Sequence, residues 1–233
     1  TPNDYADAIT QQTAAVVYFL GSQPDDELGA IVEIAHARNV PVIVDAAAQL
    51  PPRSNLTDLA TKVGADLVVF SGGKGLFGPQ ASGLILGRAD LIEAARLNSS
   101  PFSGIGRGMK VGKEEIVGLL RAVELFFEQD EDALIKEWER RCRLIGAVAD
   151  GIDGVEAVFH PPYSHRFPPA SPLLDLTFAV AANQTAAAVR QQLEEGEPSI
   201  LSSGGEDTLR IGPQTLQGGE AEIIAQRLRA ILA

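Results

Sequence analysis

Short apolar runs alternate with segments of helical periodicity over the first 90 residues, and this alternation is what most constrains the fold. Strands are predicted over 14–20, 42–44, 65–70 and 83–86, and helices over 25–39 and 56–63. The first run has no polar alternation, which predicts a strand buried on both faces. The pattern as a whole predicts an α/β domain with a mainly parallel sheet covered by helices. Ligands bind at the carboxyl ends of the strands in such sheets.

A loop rich in Asn, Ser, Pro and Gly breaks the alternation over 98–112. It gives the predicted domain boundary, with a large domain over 1–105 and a smaller one over 106–233. The second region starts with a long helical stretch over 113–148, interrupted near 129–132. Strands follow at 173–180 and 208–211, and helices at 185–194 and 220–232. This order predicts a small α+β domain.

The charge balance limits the classes of partner. The chain has 31 acidic and 19 basic side chains, and its net charge of −12 repels nucleic-acid phosphates and anionic lipid. Nucleic acid is therefore a disfavoured partner. No apolar run approaches the roughly 18 residues that a membrane helix needs, so no membrane association is predicted. The single cysteine, Cys142, fits a reducing compartment, and we expect a cytoplasmic protein.

Two strand ends carry the residues that point to chemistry. Asp45 ends the run Val42 to Val44, and Lys74 follows the strand 65–70 through Ser71, Gly72 and Gly73. Both side chains are expected at the same carboxyl edge of the sheet, where a bound cofactor would meet an amine and a carboxylate. Pyridoxal phosphate (PLP) needs this pair: Lys74 would form the Schiff base and act as a base, and Asp45 would keep the pyridine nitrogen protonated.

Three neighbouring residues are candidate cofactor contacts. Ala47 is small enough to lie against the ring, Gln49 is a donor for the ring hydroxyl, and the Ser71 hydroxyl suits the phosphate. Each key residue also has an ordinary structural explanation, because an Asp after a strand often caps a turn and a Lys between glycines is often only solvated. The pair in this order favours the cofactor site. No cluster with metal-ligand spacing is found in the sequence.

Three stretches carry a resemblance to a known family. They read VIVDAAAQLPP, GADLVVFSGGKGLFGPQASGLILGRADLIEAA and IGRGMKVGKEEIVGLL. The chain resembles the fold-type I PLP-dependent enzymes, and within them the branch of selenocysteine synthase (seryl-tRNA selenium transferase) and D-glucosaminate-6-phosphate ammonia-lyase. The resemblance covers nearly the whole chain, and it implies that the N-terminal part of the fold, with its phosphate-binding loop, is missing here.

The resemblance also implies roles for individual residues. Asp45 matches the aspartate at the pyridine nitrogen, and Lys74 matches the lysine that holds the cofactor. The segment Gly78-Pro79-Gln80 matches a loop that often lies near the neighbouring subunit's site, so a homodimer is expected. Arg210 sits where many members keep an arginine for the substrate carboxylate, a task suited to its planar guanidinium.

The function expected from these features is a PLP-dependent lyase that removes ammonia from an amino acid or amino sugar acid, a small-molecule substrate. Arg107, in the loop between the predicted domains, is a candidate substrate contact, although a solvated basic patch explains it equally well. A selenium transferase acting on charged tRNA is the alternative enzyme, disfavoured by the net charge. A non-catalytic truncated remnant of the fold, serving as an interaction module, is the alternative outside enzymes.

Overall fold

Parallel strand pairing organises the first part of this computed structural model, which describes residues 1–23, 25–164 and 169–233. Strands β1 to β4 form one sheet in the order of the chain; β1 to β3 are parallel, and β4 is antiparallel to β3. The elements are α1 (Pro2–Ala8), β1 (Val16–Phe19), a 3-10 turn (Asp25–Glu27), α2 (Leu28–His36), β2 (Val42–Asp45), α3 (Asn55–Thr61), β3 (Leu67–Ser71), β4 (Gly83–Gly87), α4 (Ala89–Asn98) and α5 (Lys113–Glu128).

One face of this sheet holds the first hydrophobic core. Tyr18, Val44 and Phe70 are fully buried on neighbouring strands, and the apolar stripe of α2, with Leu28 and Ile31, belongs to the same cluster. Side chains alternate between the faces of a strand, so each strand gives every second residue to this core. Burying one such side chain contributes about 1.5–3 kcal/mol.

The opposite face is exposed along β1 and β4 and partly covered at the two middle strands, where Leu67 is 8 % exposed; we call it the open face. The pairing register places five residues on this face: Val17 and Phe19 of β1, Asp45 of β2, Val69 of β3 and Ile85 of β4. Val17 and Phe19 are 49 % and 53 % exposed, and Ile85 is 39 % exposed. The prediction that β1 is buried on both faces is therefore wrong for these residues, because no described helix covers this side of the strand.

A buried carboxylate ties together the amino ends of the strands. Asp66, 4 % exposed, precedes β3 and accepts hydrogen bonds from Val42 N (2.7 Å), His36 Nε2 (2.8 Å) and Arg88 Nη1 (2.9 Å). These donors come from the start of β2, the end of α2 and the residue after β4. Burial raises the pKa of Asp66, but the bonds from Val42, Arg88 and His36 outweigh it and hold the pKa below the usual range.

Helix α5 belongs to the first unit, which comprises the described residues of 1–129. Its residue Phe126 is buried in the core beneath the sheet, and Leu119 and Val123 pack against the same cluster. The predicted domain boundary at residues 105 and 106 thus falls inside this unit. The loop there is a break in periodicity, whereas the packing of the following helix places the division after Gln129.

The second unit comprises 130–164 and 169–233. Its elements are α6 (Glu131–Gly146), a 3-10 turn (Ala147–Ala149), β5 (Val155–His160), β6 (Leu173–Phe178), α7 (Ala186–Glu194), β7 (Thr208–Ile211) and α8 (Glu220–Leu232). The three strands form an antiparallel sheet in the order β5, β6, β7. Its core is a separate cluster that includes Cys142, Leu176, Val189, Leu209 and Leu228.

Helix boundaries in this unit agree closely with the sequence pattern, and the interruption expected near 129–132 is the break between α5 and α6. The sequence pattern did not identify α1, α4 or β5. In the part of the chain that the structure describes, no helix combines the length and the apolar character needed to cross a bilayer.

Replacing Asp66 by Asn is expected to destabilise the first unit by about 1–3 kcal/mol, because the amide NH2 of Asn would face either the Arg88 donor at the Oδ1 position or the Val42 and His36 donors at the Oδ2 position. The folded-state pKa is lowered, so the contribution of Asp66 is present above the unfolded pKa of about 3.9 and is lost as the pH falls through the folded value. The difference between wild type and variant should shrink in that acid range.

Hydrogen exchange of the β2 and β3 amides measures this effect, because the only tryptophan, Trp138, lies in the second unit and does not report on the first. Asp58→Asn is the matched control: its partly exposed pair with Lys62 (2.8 Å) should change the opening free energy by less than about 1 kcal/mol. Equal effects of the two substitutions would contradict the role given to Asp66.

Candidate cofactor site

The carboxyl ends of β2 and β3 meet at one edge of the sheet. Asp45, the last residue of β2, is in register with Val69 of β3, and Ala46 N continues the ladder with a 2.9 Å hydrogen bond to Val69 O. Ser71 ends β3 two residues after Val69. The expected meeting of the two strand ends is thus present in the structure, and it follows from the parallel pairing.

Asp45 is a half-buried carboxylate held by its own backbone. Its Oδ1 accepts a 2.9 Å hydrogen bond from Ala47 N, which fixes the side chain in a short turn after the strand. Within 1–23, 25–164 and 169–233, no basic side chain forms an ion pair with it. The carboxylate therefore keeps an oriented oxygen for a cationic partner such as a protonated pyridine nitrogen.

Lys74 lies in a loop, residues 72–82, that closes on itself. Gly72 N donates to Ser82 O (2.9 Å), and Gly78 N donates to Gly72 O (2.7 Å), so the two ends of the loop are joined beside β3 and β4. Phe77 N donates to Lys74 O (2.9 Å), which forms a turn around the lysine. The Lys74 side chain is exposed, and in the described chain its amine has no ion-pair partner.

The segments that follow the two strands also touch through the backbone. A Cβ atom added to Gly75 would come within 2.1 Å of Leu50 O, so the residue after Lys74 packs directly on the segment that follows Asp45. Only glycine allows this approach. The loop of Lys74 and the turn of Asp45 are therefore parts of one local structure.

The softer candidates occupy different surroundings. Ala47 and Ser71 are half-buried beside the two strand ends. Gln49 is 1 % exposed, and its Nε2 donates to Leu20 O (3.2 Å) at the end of β1. Its side-chain amide thus holds the neighbouring strand end, while Ala47 and Ser71 border the edge.

Arg107 stands in the loop before α5. It is exposed, and its Nη1 lies 3.4 Å from Ser100 Oγ, a weak contact that leaves the guanidinium solvated. Nothing in the described structure joins it to Asp45 or Lys74. The described structure therefore shows Arg107 as a solvent-exposed cation and gives it no contact with the candidate site.

Arg210 lies in the second unit, on β7, and is paired with Asp175 of β6. Its Nε and Nη2 each donate to this carboxylate at 2.8 Å, and His160 Nε2 lies 3.0 Å from the same group. The bidentate bond from Arg210 lowers the pKa of Asp175, and Asp175 in turn raises the pKa of the guanidinium. One edge of the Arg210 guanidinium is occupied, which fixes its orientation and leaves Nη1 for another acceptor.

The partner of Arg210 was missed at the sequence level, although a signal exists. Asp175 is the charged residue inside the apolar strand Leu173-Leu174-Asp175-Leu176, and a buried carboxylate needs a cation or several donors. A search for the partner of that aspartate would have led to Arg210 and His160.

The residues present fit PLP at the ring and the aldehyde. An oriented carboxylate and an amine without an ionic partner stand at the same sheet edge, which is the donor set that this cofactor requires. In the described ranges, no group of three or more His, Cys, Asp or Glu side chains is arranged to hold a metal ion.

Comparison with known proteins gives consistent relatives. The family L-seryl-tRNA selenium transferase (SelA) matches residues 1–137. The chain is 35 % identical to a 5'-C-glycyluridine monooxygenase-decarboxylase from a Streptomyces species, covering 100 % of this chain and 58 % of that protein. It is 30 % identical to a D-glucosaminate-6-phosphate ammonia lyase from Salmonella typhimurium, covering 96 % and 58 %. The chain thus spans somewhat under three-fifths of these relatives.

Among solved structures, the serine palmitoyltransferase of Sphingomonas wittichii matches with a TM-score of 0.59 and 16 % identity, over 99 % of this chain and 58 % of that one. At this identity the likeness concerns the fold alone, and it confirms the predicted fold class. The family match covers more than half of the chain and confirms the resemblance carried by the three sequence stretches. The chain belongs to the L-seryl-tRNA selenium transferase family, a branch of the fold-type I PLP-dependent enzymes.

Proposed function

We propose that this protein breaks a bond at the α-carbon of a small amino acid-type substrate with PLP, the cofactor of its family. The observation that carries the proposal is the juxtaposition of Asp45 and the Lys74 loop at the carboxyl edge of β2 and β3. An amine and an oriented carboxylate at one edge have no structural need of each other, because they do not pair. A ligand that requires both explains why they are there.

PLP, when bound, supplies an electron sink for the electron pair left at the substrate α-carbon. The part of Asp45 is to hold a proton on the ring nitrogen through the oxygen that its turn orients. The part of Lys74 is to hold the cofactor and then to carry a proton to or from the α-carbon. Its position in an exposed loop allows the amine to move between these two tasks.

Other residues have proposed supporting roles. Ala47 and Ser71 remain the proposed contacts of the ring face and the phosphate, whereas Gln49, whose buried amide donates to Leu20 O, is not retained as the donor to the ring hydroxyl. Arg210 is the proposed partner of the substrate carboxylate, with Asp175 keeping its guanidinium oriented. Arg107 is a proposed second anion contact.

The specific reaction that we propose first is ammonia elimination, as named for the Salmonella relative, from an amino acid or amino sugar acid. Decarboxylation of an amino acid-type group is the second candidate, because the Streptomyces relative has the higher identity, 35 %, over the whole chain. A selenium transferase acting on tRNA is less favoured, since the net charge of −12 opposes a polyanionic partner. A homodimer and a cytoplasmic location stay predictions.

Wild-type protein mixed with PLP should develop a visible absorbance band that borohydride removes, leaving the cofactor fixed on the peptide that contains Lys74. Lys74→Ala should lack both the band and the modified peptide, because it removes the amine. Lys62→Ala, an exposed lysine in the same unit, serves as the matched control and should behave as wild type. Absence of the band in the wild type would favour the non-catalytic interaction module.

The two small-molecule reactions are separated by their products. With D-glucosaminate 6-phosphate as substrate, we expect the wild type to release ammonia. The Asp45→Asn variant replaces the carboxylate by a neutral amide and so loses a charge-assisted hydrogen bond of about 1.5–3 kcal/mol. Ammonia release by this variant should therefore be roughly 10- to 150-fold slower. Carbon dioxide release with oxygen uptake from 5'-C-glycyluridine, and no ammonia from the sugar acid, would instead select the second candidate.

A further inference from the structure

The Lys74 loop contains a polar contact to which the proposed chemistry assigns no role. Gln80 lies six residues after Lys74, and its Nε2 donates a 3.1 Å hydrogen bond to Gly73 O, the carbonyl immediately before the lysine. A Cβ atom added to Gly73 would stand 2.5 Å from Gln80 Oε1 and 2.7 Å from Gln80 Cα. The glutamine side chain therefore lies directly on the backbone of Gly73, the residue before the lysine.

We propose that Gln80 is a positioning residue for Lys74, an inference that rests on the proposed function of that lysine. The C=O of Gly73 and the N–H of Lys74 belong to one planar peptide unit. A bond that fixes the carbonyl also fixes the N and Cα atoms of Lys74, from which the side chain extends.

The need for such a contact follows from the surroundings of the lysine. Lys74 stands between Gly73 and Gly75, and glycine gives the backbone its widest conformational freedom. The Lys74 side chain is exposed and has no ionic partner among the described residues, so no ion pair fixes the amine. Its placement depends on the peptide units beside it, and Gln80 restricts one of them.

The base of Gln80 is itself held in place. Pro79, whose ring fixes its backbone φ, packs on Gly118 of α5, where an added Cβ atom would come within 2.7 Å of Pro79 Cγ. Ser82 Oγ donates to Pro79 O at 2.6 Å on the other side. Gln80 thus connects the lysine to a helix that is packed into the core of the first unit.

Gln80→Glu and Gln80→Ala test the proposal on the full chain, with Gln12→Ala, an exposed glutamine in the same unit, as control. The carboxylate of Glu keeps the length and loses the donor. One neutral hydrogen bond corresponds to a factor of about 2 to 12, so amide exchange over residues 73–78 should accelerate by that factor in both variants. This measurement needs no cofactor.

The second readout is cofactor capture. In the presence of PLP, the rate at which borohydride fixes the cofactor on Lys74 should fall by a similar factor in both Gln80 variants. The pH midpoint of the visible band should also move in both of these variants but not in Gln12→Ala. Unchanged exchange, or faster exchange with unchanged capture and midpoint, would overturn the positioning role. If the wild type captures no PLP, the proposed function fails, and with it the positioning role, while exchange still reports whether Gln80 holds the loop.

Discussion

The hydrogen bond from Ala46 N to Val69 O extends the parallel ladder by one step beyond β2, and the candidate site depends on that step. This bond fixes the position of the segment after Asp45 relative to the segment of β3 that leads to Lys74. A slip of one residue would turn Asp45 to the opposite face of the sheet, because side chains alternate along a strand. That slip is opposed because it would bury the carboxylate of Asp45 among the apolar residues of the core.

The two ends of the same strands are built differently. At the amino end, Asp66 collects donors from Val42, His36 and Arg88, and the polar groups satisfy one another. At the carboxyl end, Asp45 and Lys74 approach one edge with no ionic partner in the described structure. The first arrangement stabilises the sheet, and the second leaves charged groups ready for a ligand. Proteins commonly separate stability and function in this way, because a site whose groups satisfy each other has little left for a substrate.

Much of this could be predicted from the sequence. Periodicity is a local property, so the strands and helices with strong patterns were found, and Asp45 and Lys74 could be placed after two neighbouring strands. The division between the two units after Gln129 was not predicted, because it depends on Phe126 packing under a sheet formed by residues distant in sequence. The pairing of Arg210 with Asp175 and the bond from Gln80 to Gly73 are also contacts between strands or across a loop. Such contacts leave no periodic trace: the charged Asp175 inside an apolar strand signals that a partner is needed, but only the structure shows that Arg210 supplies it and that Gln80 binds Gly73.

The open face of the first sheet bears on how this chain behaves at high concentration. Val17, Phe19 and Ile85 offer apolar area to any neighbouring molecule, and near neutral pH the net charge of −12 keeps such molecules apart. With an isoelectric point near 4.7, mild acid removes that repulsion while the apolar area stays the same. We therefore expect colloidal stability to be lowest in mild acid, where the charge repulsion between molecules is smallest.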